Sequence, residues 1–181
     1  MIPRYSQGQI SKIWTDKNRY EIWFQIEVLV CEKLYIDKKI SKKDFLQIKK
    51  KGKVDVEDIQ KLDRKTHHEV IAFLNSISKK IGKSARHIHQ GITSSDIIDT
   101  AFSIQLKQSS EILIKDITQL LKALKTKAYK YKKTICLGRT HGIHAEPTTF
   151  GLKIAGFYAE MERNLKRLKN ANDGISICAI S

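Results

Sequence analysis

The sequence predicts an all-α protein: a small N-terminal helical domain followed by the first long helices of a central helical bundle. Three observations predict it. Apolar residues recur at spacings of three and four along most of the chain, the period of a helix with one buried face. Among 181 residues there are only 9 glycines and 2 prolines, too few for a turn-rich β fold. Capping residues and glycines fall at the ends of the periodic stretches.

Thr15-Asp16 reads as a helix start, a capping hydroxyl followed by an acid that complements the helix dipole. Ile22, Ile26, Leu29 and Lys33, flanked by Trp23, Val30 and Leu34, carry the stripe to about residue 36. Ser41 caps a short second helix through Phe45 and Ile48, which Gly52 ends. Val56, Ile59 and Leu62 begin a third pattern, which resumes at Val70, Phe73, Leu74, Ile77 and Ile81 and stops at Gly82. The intervening Asp63 to Glu69 is wholly polar, so the helix either breaks there or exposes that turn to a cleft. Residues 84–95 read as irregular, with His87-Ile88-His89 as an extended segment carrying both rings on one side.

Thr93 and Asp96 resemble a capping box with Asp in place of Glu. They open a long helix with Leu113, Ile117, Leu120, Leu121, Leu124 and Ala128 on one face. A last helix is expected from about Pro147, which pre-sets its first turn, to Asn172. At ~1.5 Å per residue these two helices are each roughly 40 Å long, a length that belongs in an extended bundle. The change from short to very long helices divides the chain into residues 1–93 and 94–181. Ile175 to Ser181 is an apolar run without a cap or polar tail, and two long helices cannot close a bundle core. The expectation is that the bundle is truncated and the chain is the front part of something longer.

Composition narrows the function classes. No apolar run reaches the roughly 18 residues of a membrane span, and Met1 to Ser6 lacks the layout of a signal peptide. The chain is expected to be cytoplasmic with no membrane partner. Cys31, Cys136 and Cys178 are odd in number and far apart, neither a disulfide framework nor a metal-ligand spacing. His87 and His89 have no third ligand in range, so no metal is expected. The net charge is +15, from 34 Lys+Arg against 19 Asp+Glu, a field that can concentrate anionic ligands. The lysines are scattered over most polar faces, and their densest runs are not interleaved with a stacking platform of aromatics. Nucleic acid is not an expected partner.

The chemistry concentrates in three segments at element ends: Thr66-His67-His68-Glu69, Thr93-Ser94-Ser95-Asp96 and Thr140-His141-Gly142. The last belongs to the run Gly138 to Gly151, which sets His141 and His144 among glycines between two helical patterns. Imidazole, with an unperturbed pKa of roughly 6.5, suits proton transfer, and glycine lets a ligand approach closely.

The order and spacing of these segments resemble the N-terminal part of the adenylosuccinate lyase family, a branch of the fumarase/aspartase superfamily. The resemblance runs from Ile2-Pro3-Arg4-Tyr5-Ser6 through Ile13-Trp14-Thr15 and Ile92 to Thr100 into Phe150-Gly151-Leu152-Lys153. It implies elimination of fumarate from adenylosuccinate, giving AMP, and from the succinylcarboxamide ribotide of purine synthesis. It also implies no cofactor and a homotetramer whose active sites each draw on three subunits.

By the resemblance, His141 is the proton donor to the departing nitrogen, and His68 contacts the succinyl carboxylate and supports the acid. Thr93 and Ser94 hold the substrate's carboxylate and reacting region, although Thr93 can equally be read as a helix cap. Thr140 is a substrate contact beside the acid. Arg4 and Tyr5 match the phosphate-binding pair, a guanidinium fork and a phenol that suit a phosphate dianion. Glu69 stands where the family has Asp, and His67 where Arg, Lys or Asn is usual; both are taken as substrate-binding positions. His144 reads as structural. The family's Ser-Ser-x-Met-Pro-x-Lys-x-Asn-Pro loop, with its serine base, does not occur in this sequence, so the chain alone is expected to be inactive. The alternatives are an argininosuccinate-type lyase of the same superfamily, disfavoured by Arg4-Tyr5, and a basic helical nucleic-acid-binding module, which leaves the three clusters without a role.

Overall fold

The computed structural model describes residues 3–6 and 8–180. Met1, Gln7, Ser181 and the Ile2 that opens the N-terminal motif lie outside the described residues. The chain is all-α, with seven α-helices and one two-stranded sheet among the described residues. It divides into two compact units, one of residues 1–106 with 176–181 and one of residues 107–175.

The first unit carries the short helices. After a 3-10 turn at Pro3–Tyr5 come α1 (Gly8–Ile13), α2 (Asp16–Ile36), α3 (Lys42–Lys51), α4 (Val56–Thr66) and α5 (Glu69–Ile81). Thr15, Ser41 and Asp55 accept backbone N–H bonds from Asn18, Asp44 and Asp58, so each helix starts where a short polar side chain can satisfy a first-turn donor. The core centres on Tyr20, Trp23 and Phe73, with Trp23 edge-on to both others at centroid distances of 5.3 and 5.4 Å. Ile48, Ile59 and Ile77 close it at 0% exposure.

The stripe expected on α2 is displaced. The buried positions are Tyr20, Ile22, Trp23, Glu27 and Cys31, and Leu29 is 61% exposed. Apolar residues surround this helix on most sides, so spacing alone could not select the face. Residues 82–87 form a 3-10 segment that ends at His87, and His89 has a left-handed φ of 61°, so His87-Ile88-His89 is not the extended segment expected. The rings of His87 and His89 consequently serve different partners: His87 Nε2 lies 3.8 Å from Asp44, while His89 Nδ1 lies 2.8 Å from Glu27.

Helix α6 (Ser94–Lys130) belongs to the first unit through Leu106 and to the second beyond it. Its 37 residues span about 55 Å, longer than expected because no residue interrupts the pattern between Ser94 and Lys130. In the second unit, α6 is followed by a hairpin of β1 (Ile135–Thr140) and β2 (Ile143–Thr149), then α7 (Phe150–Ile175).

The hairpin corrects the reading of Pro147. It lies in β2 opposite Leu137, three residues before α7 begins, and does not open the helix. A two-stranded ribbon leaves each strand one unpaired edge, so a residue without N–H is tolerated there. The register also shifts between Leu137 and Arg139. The α7 start is instead fixed by Phe150 N–H to Thr134 O at 2.8 Å and Gly151 N–H to Tyr131 O at 2.9 Å.

Candidate active site

His67 and His68 are the corner between α4 and α5. The polar stretch breaks the helix at this point: His67 takes a left-handed φ of 48° and ψ of 32° while its N–H still donates to Asp63 O. His68 is extended and caps α5, its Nδ1 accepting the Ile71 N–H at 3.4 Å. The Thr66 hydroxyl bridges the corner, accepting from His68 N–H at 3.4 Å and donating to His68 C=O at 3.3 Å. With Nδ1 acting as an acceptor, the neutral ring carries its proton on Nε2. Both rings are exposed.

Glu69, the first residue of α5, faces α2. Its carboxylate accepts from Arg19 Nη1 at 3.2 Å, Arg19 Nη2 at 2.5 Å and the Tyr20 hydroxyl at 2.7 Å. Burial, followed by the bond to Glu69, pushes the Tyr20 phenol well above its ordinary range. Arg19 stacks over the Tyr20 and Trp23 rings at 4.9 and 5.5 Å, so the guanidinium reaching Glu69 is itself seated on core aromatics.

Thr93 and Ser94 stand at the start of α6. The Asp96 carboxylate accepts the Thr93 N–H at 2.8 Å, and Asp96 N–H donates to Thr93 O at 3.1 Å, which realises the capping box from the acid's side. The turn leading to them is anchored on α2. Glu27, at 0% exposure, accepts the His89 backbone N–H at 2.8 Å and pairs with His89 Nδ1 at the same distance. Burial raises the Glu27 pKa against the lowering pull of His89. Cys31 Sγ adds a bond to His87 O at 3.5 Å.

In the second unit, Thr140 pairs with Ile143, so His141-Gly142 is a two-residue loop. Both residues have positive φ, 49° and 76°, as a type I′ hairpin turn requires. The His141 ring is thereby presented at the tip of the ribbon, exposed, with Thr140 beside it. His144 lies on β2 opposite Arg139. In the first unit, Arg4 and Tyr5 share the N-terminal 3-10 turn, the guanidinium carbon 5.4 Å from the ring centroid and the phenol 72% exposed.

The four non-glycine residues with positive φ among the described residues are Lys38, His67, His89 and His141. Left-handed backbone at such positions costs on the order of 1–3 kcal/mol and persists where surroundings impose it. Sequence reasoning placed His67 and His141 but missed Arg19, Tyr20 and Glu27. For Glu27 a signal was present: it falls four residues from both Trp23 and Cys31, so helical spacing puts an acid in the apolar stripe. Nothing in the sequence marked Arg19, because its partner is 50 residues away.

Residues 4–181 match the family model described as Lyase, Lyase_1. The chain belongs to that family. Over all 181 residues it is 44% identical to a curated adenylosuccinate lyase from Staphylococcus saprophyticus, of which it spans 42% of the length. Among solved structures it resembles a fumarate lyase from Mesorhizobium, with a TM-score of 0.88 at 21% identity, covering 95% of this chain and 41% of that one. A 3-carboxy-cis,cis-muconate lactonizing enzyme from Pseudomonas putida gives 0.86 at 22% identity, covering 94% and 41%. Those two likenesses carry the fold. Among the described residues no helix is long and apolar enough to cross a membrane.

Proposed function

We propose that this chain is the acid-bearing part of an adenylosuccinate lyase, eliminating fumarate from adenylosuccinate to give AMP and from the succinylcarboxamide ribotide to give AICAR. The observation that carries the reading is the 44% identity along the entire chain to a curated protein of that name. The presentation of His141 supports it, since an imidazole at the tip of a tight turn is open to a ligand. In the proposed reaction a base removes a proton from the succinyl β-carbon. The electron pair spreads into the adjacent carboxylate as an aci-form, the C–N bond breaks as the pair returns to form fumarate's double bond, and the His141 imidazolium protonates the departing nitrogen. Positive charge and N–H or O–H donors must stabilise the aci-carboxylate; His68, Thr93 and Ser94 are assigned to that end, with Thr140 beside the acid. Arg4 and Tyr5 are assigned to the phosphate, and His67 to the wall of the site. The base is not among the residues of this chain, the complete enzyme is a cytoplasmic homotetramer, and neither metal nor cofactor takes part.

The test joins this chain to the remainder of the Staphylococcus relative and assays fumarate release. The expected result is elimination from adenylosuccinate by the chimera, with none from argininosuccinate and none by the 181-residue chain alone. His141→Asn keeps the hairpin, since Asn-Gly is a favoured type I′ pair, and lowers turnover by about 10²- to 10⁴-fold, the usual contribution of a positioned general acid. Argininosuccinate cleavage, or full activity of His141→Asn in a folded chimera, would overturn the assignment.

A further inference from the structure

The polar corner His67-His68 has no regular structure of its own, and His68 must nonetheless be aimed. Three features of the surroundings converge on the residue that follows it. Both carboxylate oxygens of Glu69 are engaged by α2, through two guanidinium N–H groups and a phenol. Arg19 is in turn fixed by Asp16 at 3.1 Å and by the faces of Tyr20 and Trp23. Tyr20 and Trp23 are core residues at 2% and 1% exposure. The clamp is therefore continuous with the packed interior, and it ends one peptide bond from His68.

We propose that Arg19 and Tyr20 are positioning residues for His68, acting through Glu69, and that Glu69 serves as their anchor rather than as a substrate group. The proposal rests on the reading of His68 as a site residue for its importance, though not for its test. The physical reason is leverage. His68 caps α5 through a long Nδ1 bond of 3.4 Å, too weak to fix the ring or the corner by itself. A bidentate Arg–carboxylate pair adds directional constraint as well as energy, and it holds the first turn of α5 against α2. With that turn in place, Nδ1 stays on the Ile71 N–H and Nε2 remains the outward-facing nitrogen. If the clamp opens, the first turn frays, the cap is lost, and the ring is free to exchange tautomers and rotamers. The same clamp accounts for acid at position 69, whether Glu or Asp, without any contact to substrate.

The test is performed on the 181-residue chain without ligand, by ¹⁵N NMR of the His68 ring and hydrogen exchange at Ile71. In the wild-type chain, Nδ1 should be the unprotonated nitrogen of neutral His68. In Arg19→Met and Glu69→Gln the ring should move to the tautomer mixture of a free imidazole. Exchange at Ile71 N–H should rise about tenfold, the loss expected for a hydrogen bond to a charged group, while core amides such as Cys31 keep their protection. Tyr20→Phe removes one O–H with the ring retained, so it reports even if Arg19→Met fails to fold; a smaller shift in the same direction is expected. Glu69→Asp should restore most of the wild-type tautomer. An unchanged tautomer with a uniform rise in exchange along the chain would overturn the proposal, as would an unchanged Ile71 in Tyr20→Phe and Glu69→Gln. Neither readout involves turnover, so failure of the lyase assignment and failure of the clamp are separately visible.

Discussion

Gly151→Ala tests how the histidine hairpin is held. Gly151 is buried in the first turn of α7, and a Cβ built there would lie 2.5 Å from Ala128 O, 2.5 Å from Lys132 Cα and 2.6 Å from Lys132 N. All three are backbone atoms, so no side chain can swing away. Ordinary contact begins near 3.4 Å, which requires the α7 start and the α6 end to separate by about 0.9 Å. That movement stretches Gly151 N–H to Tyr131 O and Phe150 N–H to Thr134 O, now 2.9 and 2.8 Å. Overpacking costs about 1–3 kcal/mol and each weakened bond up to about 1, against a gain near 1 from replacing a helical glycine. The net expectation is about 3 kcal/mol. For a unit of residues 107–175, at ~0.05–0.15 kcal/mol per residue, that loss removes a large share of the stability. The melting temperature should fall by roughly 10–20 °C.

Gly156→Ala provides the internal control. It lies in the same helix with nothing within 4 Å of its added Cβ, and it should stabilise by about 0.5–1 kcal/mol. The assay is thermal unfolding combined with hydrogen exchange at the β1 amides, which Gly151→Ala should expose and Gly156→Ala should not. Equal melting temperatures for the two variants would refute the reasoning, because propensity alone predicts the same sign for both.

Two further predictions concern the first unit. The bond from Ser76, and then Lys79, holds the Asp58 carboxyl below its ordinary value, and bonds from Ser41 and Ser84 do the same for Asp44. Depressed folded-state pKa values contribute stability above the unfolded values of about 3.9, lost as pH falls through the folded ones. Acid titration of unfolding should therefore steepen below about pH 4, and Asp58→Asn should flatten that limb while leaving His-range behaviour unchanged. Burial raises the Cys31 thiol to about 12, whereas Cys178 is exposed. Alkylation mapped by mass spectrometry near neutral pH should label Cys178 and leave Cys31 unmodified until the chain is unfolded; early labelling of Cys31 would contradict its burial.

The sequence was most legible where signals are local. Capping side chains at Thr15 and Ser41 and the glycines at 52 and 82 set helix ends through bonds spanning a few residues, so the chain near each end carries the information. The acid at position 96 announced the α6 start for the same reason. The hairpin was not legible, because its strands hold six and seven residues with no clean alternation and a bulge between Leu137 and Arg139. Pro147 there carried a helix-start signal that strand pairing overrode.

By itself, the sequence determined an all-α chain, the capped starts of α2 and α3, the helix ends at Gly52 and Gly82, and the three polar clusters that connect it to a lyase family. Periodicity and caps are properties of neighbours along the chain, and they survive without a tertiary frame. Only the tertiary structure decided which face of α2 is buried, where the carboxylates of Glu27 and Glu69 go, and which way the histidines are held. Those outcomes depend on partners 50 and 62 residues distant, whose proximity is created by packing. His141 shows both halves: its identity and its glycine neighbour were written in the sequence, while its left-handed backbone at a ribbon tip came from two strands pairing around it.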